Sequence, residues 1–417
     1  MKLRCLAGTL AAACLSSTAT FAVAAAATPQ WSQYQGNAQH TGYVPIALRP
    51  QSARKAWEWR SPHAADGVTA YINPVAISDG VVAVTDDDYF APQALYLLDE
   101  RSGETLQTYE FPASTPALNP PAIFKGTVFV ATSGHEETFM HAFDVASGTL
   151  LWKTPFPAQW PHYLSPAIDG RLVANGGGYY GGVYGFDRSS GAVVGSRTDL
   201  PMIDMFSPAL DDKSIYAYTH GQLNVIDRKT FAKRVIADPA PDSDCCGSYI
   251  GAPMVSLERQ RVVAPSGDDF SGRASASTAG HYERSLVSFD IAAGVLEWRS
   301  AERYVTRPAL AQGRVFAGGQ LPARLAVLDE TTGVVDWTWT PEDGSTRLCR
   351  NIVVTLNHVF VSTDRAVHAI DLATRRSVWS VPVAGELALS ARGTLTINEG
   401  CTESTGRLLA YRLPTQR

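Results

Sequence analysis

Three stretches of the chain share one pattern: MHAFDVASGTLLW (Met140 to Trp152), LVSFDIAAGVLEW (Leu286 to Trp298) and LAVLDETTGVVDW (Leu325 to Trp337). Each begins with a short aliphatic segment, turns at an Asp and a Gly, and reaches a Trp eight residues after the Asp. The turn Asp recurs along the chain, at Asp99, Asp144, Asp187, Asp227, Asp290, Asp329 and Asp371. Successive steps are 45, 43, 40, 63, 39 and 42 residues.

A second marker keeps the same period, since a small residue or Pro precedes an apolar strand in each unit. These markers begin at Asn73, Pro120, Ser165, Ser207, Ala252 and Arg307. Between them, Val, Ile, Phe and Tyr alternate with polar residues, as in half-buried strands, and no long helical periodicity appears. A repeat of about 40 to 50 residues is typical of one four-stranded propeller blade. The chain is therefore predicted to be all-β.

The two ends of the repeat predict how the ring closes. RLLAYRL (Arg407 to Leu413) is a third strand with no later partner, and KAWEW (Lys55 to Trp59) has an outer-strand pattern with nothing before it. Pairing them removes an exposed sheet edge. We predict an eight-bladed propeller closed by the N- and C-terminal strands, with seven blades as the fallback if the irregular fourth repeat is misassigned.

The repeated residues have structural explanations. An Asp at the turn accepts nearby backbone N–H groups, and a Gly four residues later adopts positive φ without strain. The Trp of the following strand is expected between neighbouring blades, where a buried indole removes about 150 to 250 Å² from water. These residues are therefore interpreted as packing elements and not as a site. Gln107, Gly195 and Lys233 stand near the Trp position in the repeats that lack it.

The first residues are typical of an export signal. MKLR is basic, Cys5 to Ala22 is apolar or small, and AVAAAAT (Ala22 to Thr28) is a small-residue cleavage region. We predict a signal peptide over 1–27, an N-terminal segment over 28–51 and one propeller domain over 52–417, without a transmembrane segment. The location is then periplasmic or secreted. Lipid attachment at Cys14 is the less favoured alternative, because Ala11 stands where such signals favour Leu.

Composition excludes several functions. The net charge is −5, and removal of Lys2 and Arg4 with the leader leaves 33 basic against 40 acidic residues, so the protein has no nucleic-acid-binding character. No Walker loop, G-x-S-x-G elbow or H-E-x-x-H motif is present, and the His residues lack metal-ligand spacing. We expect no catalytic residue, no metal and a monomer.

Export makes the four remaining cysteines candidates for disulfides. In a propeller, the loops between blades and the loops after each second strand share a face, so a Cys349–Cys401 bridge between adjacent blades is geometrically reasonable. Cys245 and Cys246 are neighbours in sequence. They either form a strained vicinal disulfide that floors or covers a ligand site, or staple a loop, or pair crosswise with the other two.

Two features mark the funnel of the predicted ring. The residues just before each inner strand should form its rim, and an aromatic and Arg mixture there suits a small planar ligand or a peptide. The rim candidates are Tyr71, Asn73, His162, Tyr163, Asp204, Tyr249, Arg307 and Arg350. Ordinary capping of strand ends is the alternative for each. A long polar insertion, Ser266 to Arg284, explains the 63-residue step and is expected on the same face.

The Asp-x-x-x-Gly-x-x-x-Trp repeat resembles the tryptophan-docking repeat of the pyrroloquinoline-quinone (PQQ) β-propeller superfamily, and covers essentially the whole mature chain. WSQYQGNAQHTGY (Trp31 to Tyr43) is similar to the N-terminal segment of small bacterial members. These include the propeller lipoprotein of the outer-membrane β-barrel assembly machine. That resemblance implies a non-enzymatic binding or assembly scaffold of the cell envelope, without a cofactor, whose partner is an envelope protein or a small ligand.

The superfamily also contains dehydrogenases, which hold PQQ over a Trp floor beneath a vicinal disulfide, with Ca²⁺ on oxygen ligands and an Asp base. The resemblance therefore implies an alternative, a shortened PQQ- and calcium-dependent quinoprotein dehydrogenase. Its acid candidates would be Asp204, Asp244, Asp268 and Asp269. Those enzymes carry the cysteine pair early in a longer chain, whereas here it precedes the fifth repeat, so no ligand is carried over residue by residue.

Overall fold

A computed structural model describes residues 30–66, 71–86, 92–112, 114–115, 117–136, 138–159, 165–178, 180–200, 207–242, 252–267 and 283–416. Eight four-stranded antiparallel sheets form a ring, which confirms the eight-bladed propeller and removes the need for the seven-bladed fallback. The described helices are two short 3-10 turns, Pro50–Ser52 and Pro62–Asp66. The predicted leader over 1–27 lies outside the described residues.

The strands follow the repeat in chain order. Strand β1 is Arg54–Arg60. Blade 1 contains β2 (Ala76–Ser78), β3 (Val81–Thr85), β4 (Ala94–Asp99) and β5 (Thr105–Glu110). Blade 2 contains β6 (Ala122–Phe124), β7 (Thr127–Ala131), β8 (Phe139–Asp144) and β9 (Leu150–Pro155), and blade 3 contains β10 (Ala167–Asp169), β11 (Leu172–Gly176), β12 (Val183–Asp187) and β13 (Val193–Arg197). Blade 4 contains β14 (Ala209–Leu210), β15 (Ser214–Thr219), β16 (Gln222–Asp227) and β17 (Lys233–Ala237).

The second half continues the same order. Blade 5 contains β18 (Met254–Ser256), β19 (Arg261–Pro265), β20 (Arg284–Asp290) and β21 (Val295–Tyr304). Blade 6 contains β22 (Ala309–Ala311), β23 (Arg314–Gly319), β24 (Arg324–Asp329) and β25 (Val335–Trp339). Blade 7 contains β26 (Leu348–Val354), β27 (His358–Thr363), β28 (Val367–Asp371) and β29 (Arg376–Val381). The last three strands are β30 (Gly385–Leu389), β31 (Thr394–Glu399) and β32 (Arg407–Arg412).

Blade 8 is assembled from both ends of the chain. Strand β1 pairs antiparallel with β32 and completes the sheet β30–β31–β32–β1. The first strands of successive blades contact one another around the axis, and β30 meets β2. The ring is thus closed by pairing of the two segments that the sequence left without partners.

Tryptophans lie between blades, as the repeat predicted, and the structure places them over turn glycines. A Cβ placed on the turn glycine would lie 2.5–2.6 Å from the indole of the preceding blade in three seams: Gly103 beneath Trp57, Gly191 beneath Trp152, and Gly333 beneath Trp298. These glycines have φ between +69° and +73°. A side chain there would therefore be strained twice, by the backbone conformation and by the indole.

The seam between blades 3 and 4 inverts this arrangement. Blade 3 has Gly195 at the Trp position, and blade 4 has Phe231 at the turn position with φ +57°. A Cβ on Gly195 would overlap the Phe231 ring, which is buried. The large and small partners have therefore changed places, and the seam still fills its volume.

Blade 4 corrects one sequence assignment. The docking Trp pairs across its hairpin with the residue two before the turn Asp, as Trp298 does with Ser288. In blade 4 the residue in this register is Arg234, opposite Val225, and not Lys233. The Arg234 guanidinium donates to the Ile291 carbonyl at 2.6 Å, just as the Trp298 indole donates to the Glu330 carbonyl at 2.9 Å. Blade 4 lacks the register shift of its neighbours, so this position comes seven residues after the turn Asp instead of eight.

Candidate functional site

The N-terminal segment closes one end of the axis. Main-chain N–H groups near the ends of seven first strands donate to it at 2.6–2.9 Å: Ile77 to Trp31 O, Ile123 to Ser32 O, Ile168 to Gln33 Oε1, Leu210 to Ala38 O, Val255 to Gln39 O, Leu310 to Thr41 O, and Val354 to Gly42 O. One short segment thereby satisfies a donor from each of blades 1 to 7. We call residues 31–44 the plug.

Side chains of the plug add to this network. Gln33 and Gln39 donate to the carbonyls of Ile168 and Leu210 at 2.9 and 2.7 Å. The His40 ring contacts the Pro253 carbonyl at 3.2 Å, and burial lowers the pKa of His40 to about 3. The imidazole is therefore neutral at physiological pH. This role was not predicted from the sequence, although the run of Gln, Asn and His residues over 33–40 is a usable signal for backbone capping.

Further along the axis, the plug meets one of the predicted rim residues. Arg307 is 4% exposed and pairs with Glu386 of β30 at 2.6 Å. Its guanidinium also lies over the Tyr34 ring, 5.5 Å from the centroid, and contacts the Tyr34 hydroxyl at 3.4 Å. Arg307 therefore joins blades 6 and 8 to the plug. A buried pair of this kind is costly to break, because loss of one partner leaves an uncompensated charge.

The other described rim residues also make contacts between segments. The Asn73 amide is buried and donates to Thr85 Oγ1 at 3.1 Å and to the Leu118 carbonyl of the next blade at 3.0 Å. Tyr71 donates to Glu403 Oε2 at 3.0 Å, and Arg350 Nε to the Gly400 carbonyl at 3.1 Å. His162, Tyr163, Asp204 and Tyr249 lie outside the described residues. A ligand-binding role for the rim stays a prediction.

Of the four cysteines, two lie within the described residues and two lie outside them. A disulfide joins Cys349 to Cys401 across 52 residues and ties the start of β26 in blade 7 to the loop after β31 in blade 8. This is the pairing that blade order made reasonable. Cys245 and Cys246, together with most of the long insertion of blade 5, lie outside the described residues.

Opposite the rim, a broad depression of about 900 Å³ lies over the plug. We call it the basin. Its wall is built from the turns between first and second strands, and its floor includes plug residues Ser32, Gln33 and Gln39. Four carboxylates and one lysine line it: Asp79, Asp169, Glu258, Glu330 and Lys125. Blades 1, 2, 3, 5 and 6 contribute, so the basin exists only when the ring is closed.

A family model described as outer membrane protein assembly factor BamB matches residues 40–230 and 270–411. The chain belongs to this family. The match spans the repeat through blade 8, with one gap at residues 231–269. It confirms the predicted relationship to PQQ-like β-propellers.

Solved structures show the same fold at low identity. BamB from Moraxella catarrhalis superposes with a TM-score of 0.58 at 15% identity, covering 86% of this chain and 97% of that one. The computationally designed Ika8 protein gives a TM-score of 0.58 at 12% identity, covering 83% and 97%. A europium-containing methanol dehydrogenase gives 0.50 at 12% identity, covering 92% and 98%. A search of curated proteins found no significant match.

The acid candidates of a PQQ and calcium site, Asp204, Asp244, Asp268 and Asp269, lie outside the described residues, so the cofactor expectation stays a prediction. No group of three or more His, Cys, Asp or Glu side chains suited to a metal ion occurs among the described residues. On the axis itself, Arg307, Glu386 and Tyr34 are packed against one another. Within the same part of the chain, no helix is long and apolar enough to cross a membrane.

Proposed function

We propose that this protein is a non-enzymatic binding scaffold of the bacterial cell envelope, which holds a partner protein on one end of its ring. The observation that carries the proposal is the plug. It bonds to seven blades and makes the basin floor out of the chain's own backbone. Such a floor is rigid and wide, and it offers polar groups over an area that suits a polypeptide better than a small enclosed ligand.

Membership in the BamB family supports the same function, because the family description names an outer membrane assembly factor. An exported location, periplasmic or secreted, is supported by that membership and by the leader-like N-terminus, and lipid attachment through Cys14 stays the less favoured alternative. Whether the partner binds the basin or the rim decides which end of the ring is functional.

Site-specific photo-crosslinking in the native envelope tests the proposal. A photoreactive residue is placed in the basin at Lys125 or Gln312, at the rim at Tyr71 or Arg350, and on the circumference at Leu151 or Val194. Leu151 and Val194 are 53% and 51% exposed on outer strands, so they serve as matched surface controls. We expect discrete protein adducts from one end of the ring and none from the controls. If neither the basin nor the rim gave adducts stronger than those of the controls, the scaffold proposal would be wrong.

The dehydrogenase alternative is tested separately by incubating purified protein with PQQ and Ca²⁺. We expect neither uptake of the cofactor absorbance nor dye-linked oxidation of alcohols or sugars. Stoichiometric uptake of PQQ at micromolar concentration, together with oxidation activity, would favour the dehydrogenase alternative over the scaffold proposal.

A further inference from the structure

Two of the seven turns carry a Glu directly after the turn Asp, Glu100 in blade 1 and Glu330 in blade 6. Both are buried, at 3% and 2% exposure. Both carbonyls accept the indole N–H of the preceding blade, from Trp57 at 3.0 Å and from Trp298 at 2.9 Å. The two glutamates therefore occupy equivalent places in two seams of the ring.

Their carboxylates are treated differently. Glu100 Oε1 accepts hydrogen bonds from Ser390 at 2.5 Å and from Thr394 at 2.8 Å, and Arg392 lies 3.5 Å from Oε2. Both oxygens therefore have donors from the neighbouring blade. This carboxylate is a structural clamp between blades 8 and 1.

Glu330 has a donor on one oxygen only. Arg259 lies 3.2 Å from Oε2, while Oε1 is buried without a hydrogen-bond partner. Burial raises the pKa of Glu330, and a side-chain hydrogen bond from Ser256 lowers it in part, but this bond does not involve Oε1. Arg261, which pairs with Ser256 across the hairpin, is bound to Glu297 instead. A buried oxygen left in this state costs about 1–3 kcal/mol.

The glutamate that carries this oxygen is one of the residues that line the basin. Glu330 lines the basin together with Glu258, and Asp79 and Asp169 line it from blades 1 and 3. Lys125 is the cation among the lining residues. Leu257, 54% exposed, also lines the basin. Arg259 and Arg261 act on Glu330 itself, but among the residues that line the basin carboxylates outnumber cations four to one. The lining therefore favours a donor that carries positive charge.

We propose that Glu330 receives a Lys or Arg side chain of the partner polypeptide at the seam of blades 5 and 6. The proposal rests on the scaffold function and names the chemistry of its partner. Arg259 remains paired with Glu330 Oε2 and continues to donate to the Thr331 hydroxyl. Glu330 Oε1 is then available to the incoming cation. A charged donor there would complete Glu330 as Ser390 and Thr394 complete Glu100.

The indole N–H groups of the two seams provide local probes, because each donates to the carbonyl of its own glutamate. The probe ligand is a short peptide with a central Arg-Lys pair between Gly-Ser flanks. The matched peptide carries citrulline and acetyl-lysine instead. In ¹H–¹⁵N spectra we expect the Trp298 indole signal to shift saturably with the cationic peptide, in the millimolar range or tighter, and the Trp57 signal to stay in place.

Two variants complete the test. Glu330→Gln keeps the shape of the side chain and is expected to weaken binding by at least about tenfold, whereas Glu100→Gln leaves it unchanged. Raising the salt concentration should weaken binding to the parent. An unmoved Trp298 signal, equal binding of the neutral peptide, or full binding to Glu330→Gln would each overturn the proposal. Crosslinks to a partner would survive that outcome, so the two failures are distinguishable.

Discussion

Two seams of the ring, between blades 8 and 1 and between blades 5 and 6, have the same arrangement of Trp, Gly and Glu. They differ in the contacts of the Glu carboxylate. In each, an indole covers a turn glycine and donates to the carbonyl of a buried Glu. Glu100 finds two hydroxyls across its seam, and Glu330 finds one arginine. The first seam is complete within the chain. The second leaves a buried oxygen beside an acidic basin.

This difference separates structural from functional use of one repeat position. A protein gains nothing in stability from a buried acceptor without a donor. A buried acceptor without a donor therefore indicates a functional role when the residue at the same position of another repeat has all its hydrogen bonds. Substitutions of the indoles and turn glycines should have equal effects in the two seams. Substitutions of the two glutamates should have different effects.

The largest effect is expected from the shared indoles. Trp57 and Trp298 are each 7% exposed. Replacing either by Ala should destabilise the protein by about 3–5 kcal/mol, because a large cavity opens between blades. Denaturant unfolding of both variants measures this. A loss at Trp57 alone would mean that the two seams are not equivalent.

The turn glycines come next. Gly103→Ala and Gly333→Ala each force a Cβ into an indole at a positive φ. We expect a loss of about 2–3 kcal/mol in both, from backbone strain of about 1–2 kcal/mol and from overpacking. Gly126, whose φ is +74° and whose Cβ would meet no atom within 4 Å, isolates the backbone part. If Gly126→Ala and Gly333→Ala lowered the melting temperature equally, overlap with the indole would contribute nothing to the loss.

The two carboxylates should then differ. Glu100→Ala leaves the buried hydroxyls of Ser390 and Thr394 without an acceptor and should cost about 2 kcal/mol. Glu330→Ala releases Arg259, whose side chain is 38% exposed and can be hydrated, so we expect at most about 1 kcal/mol. Paired unfolding curves give the difference. An equal loss would contradict the assignment of Glu330 as the open member.

The smallest effect is the pH dependence. Burial raises the pKa of Glu330, so the folded protein binds this proton more tightly than the unfolded chain. Stability therefore falls as pH rises from the ordinary carboxyl pKa through the raised one, and Glu330→Gln should gain on the parent across that window. Asp99→Asn is the control of opposite sign. The backbone N–H of Ser102 lowers the pKa of Asp99, so the parent loses that contribution as pH falls through the lowered value.

Local rules placed most of the repeat correctly. The turn Asp predicted the hairpins, because its carboxylate accepts N–H groups two and three residues ahead, as Asp99 does from Arg101 and Ser102. The same rules failed in blade 4, where the absence of a bulge moved Arg234 into the Trp position. Bulges depend on strand pairing, and one sequence does not show them.

Sequence alone determined the all-β class, the blade period, the closure by terminal strands, the turn glycines and the Trp residues between blades, because each depends on residues a few positions apart or on a repeated pattern. Only the tertiary structure placed the plug, inverted the seam of Gly195 and Phe231, and left Glu330 open. These features arise where segments far apart in sequence meet. Whether a buried carboxylate has a donor is decided by the neighbouring blade and not by its own repeat.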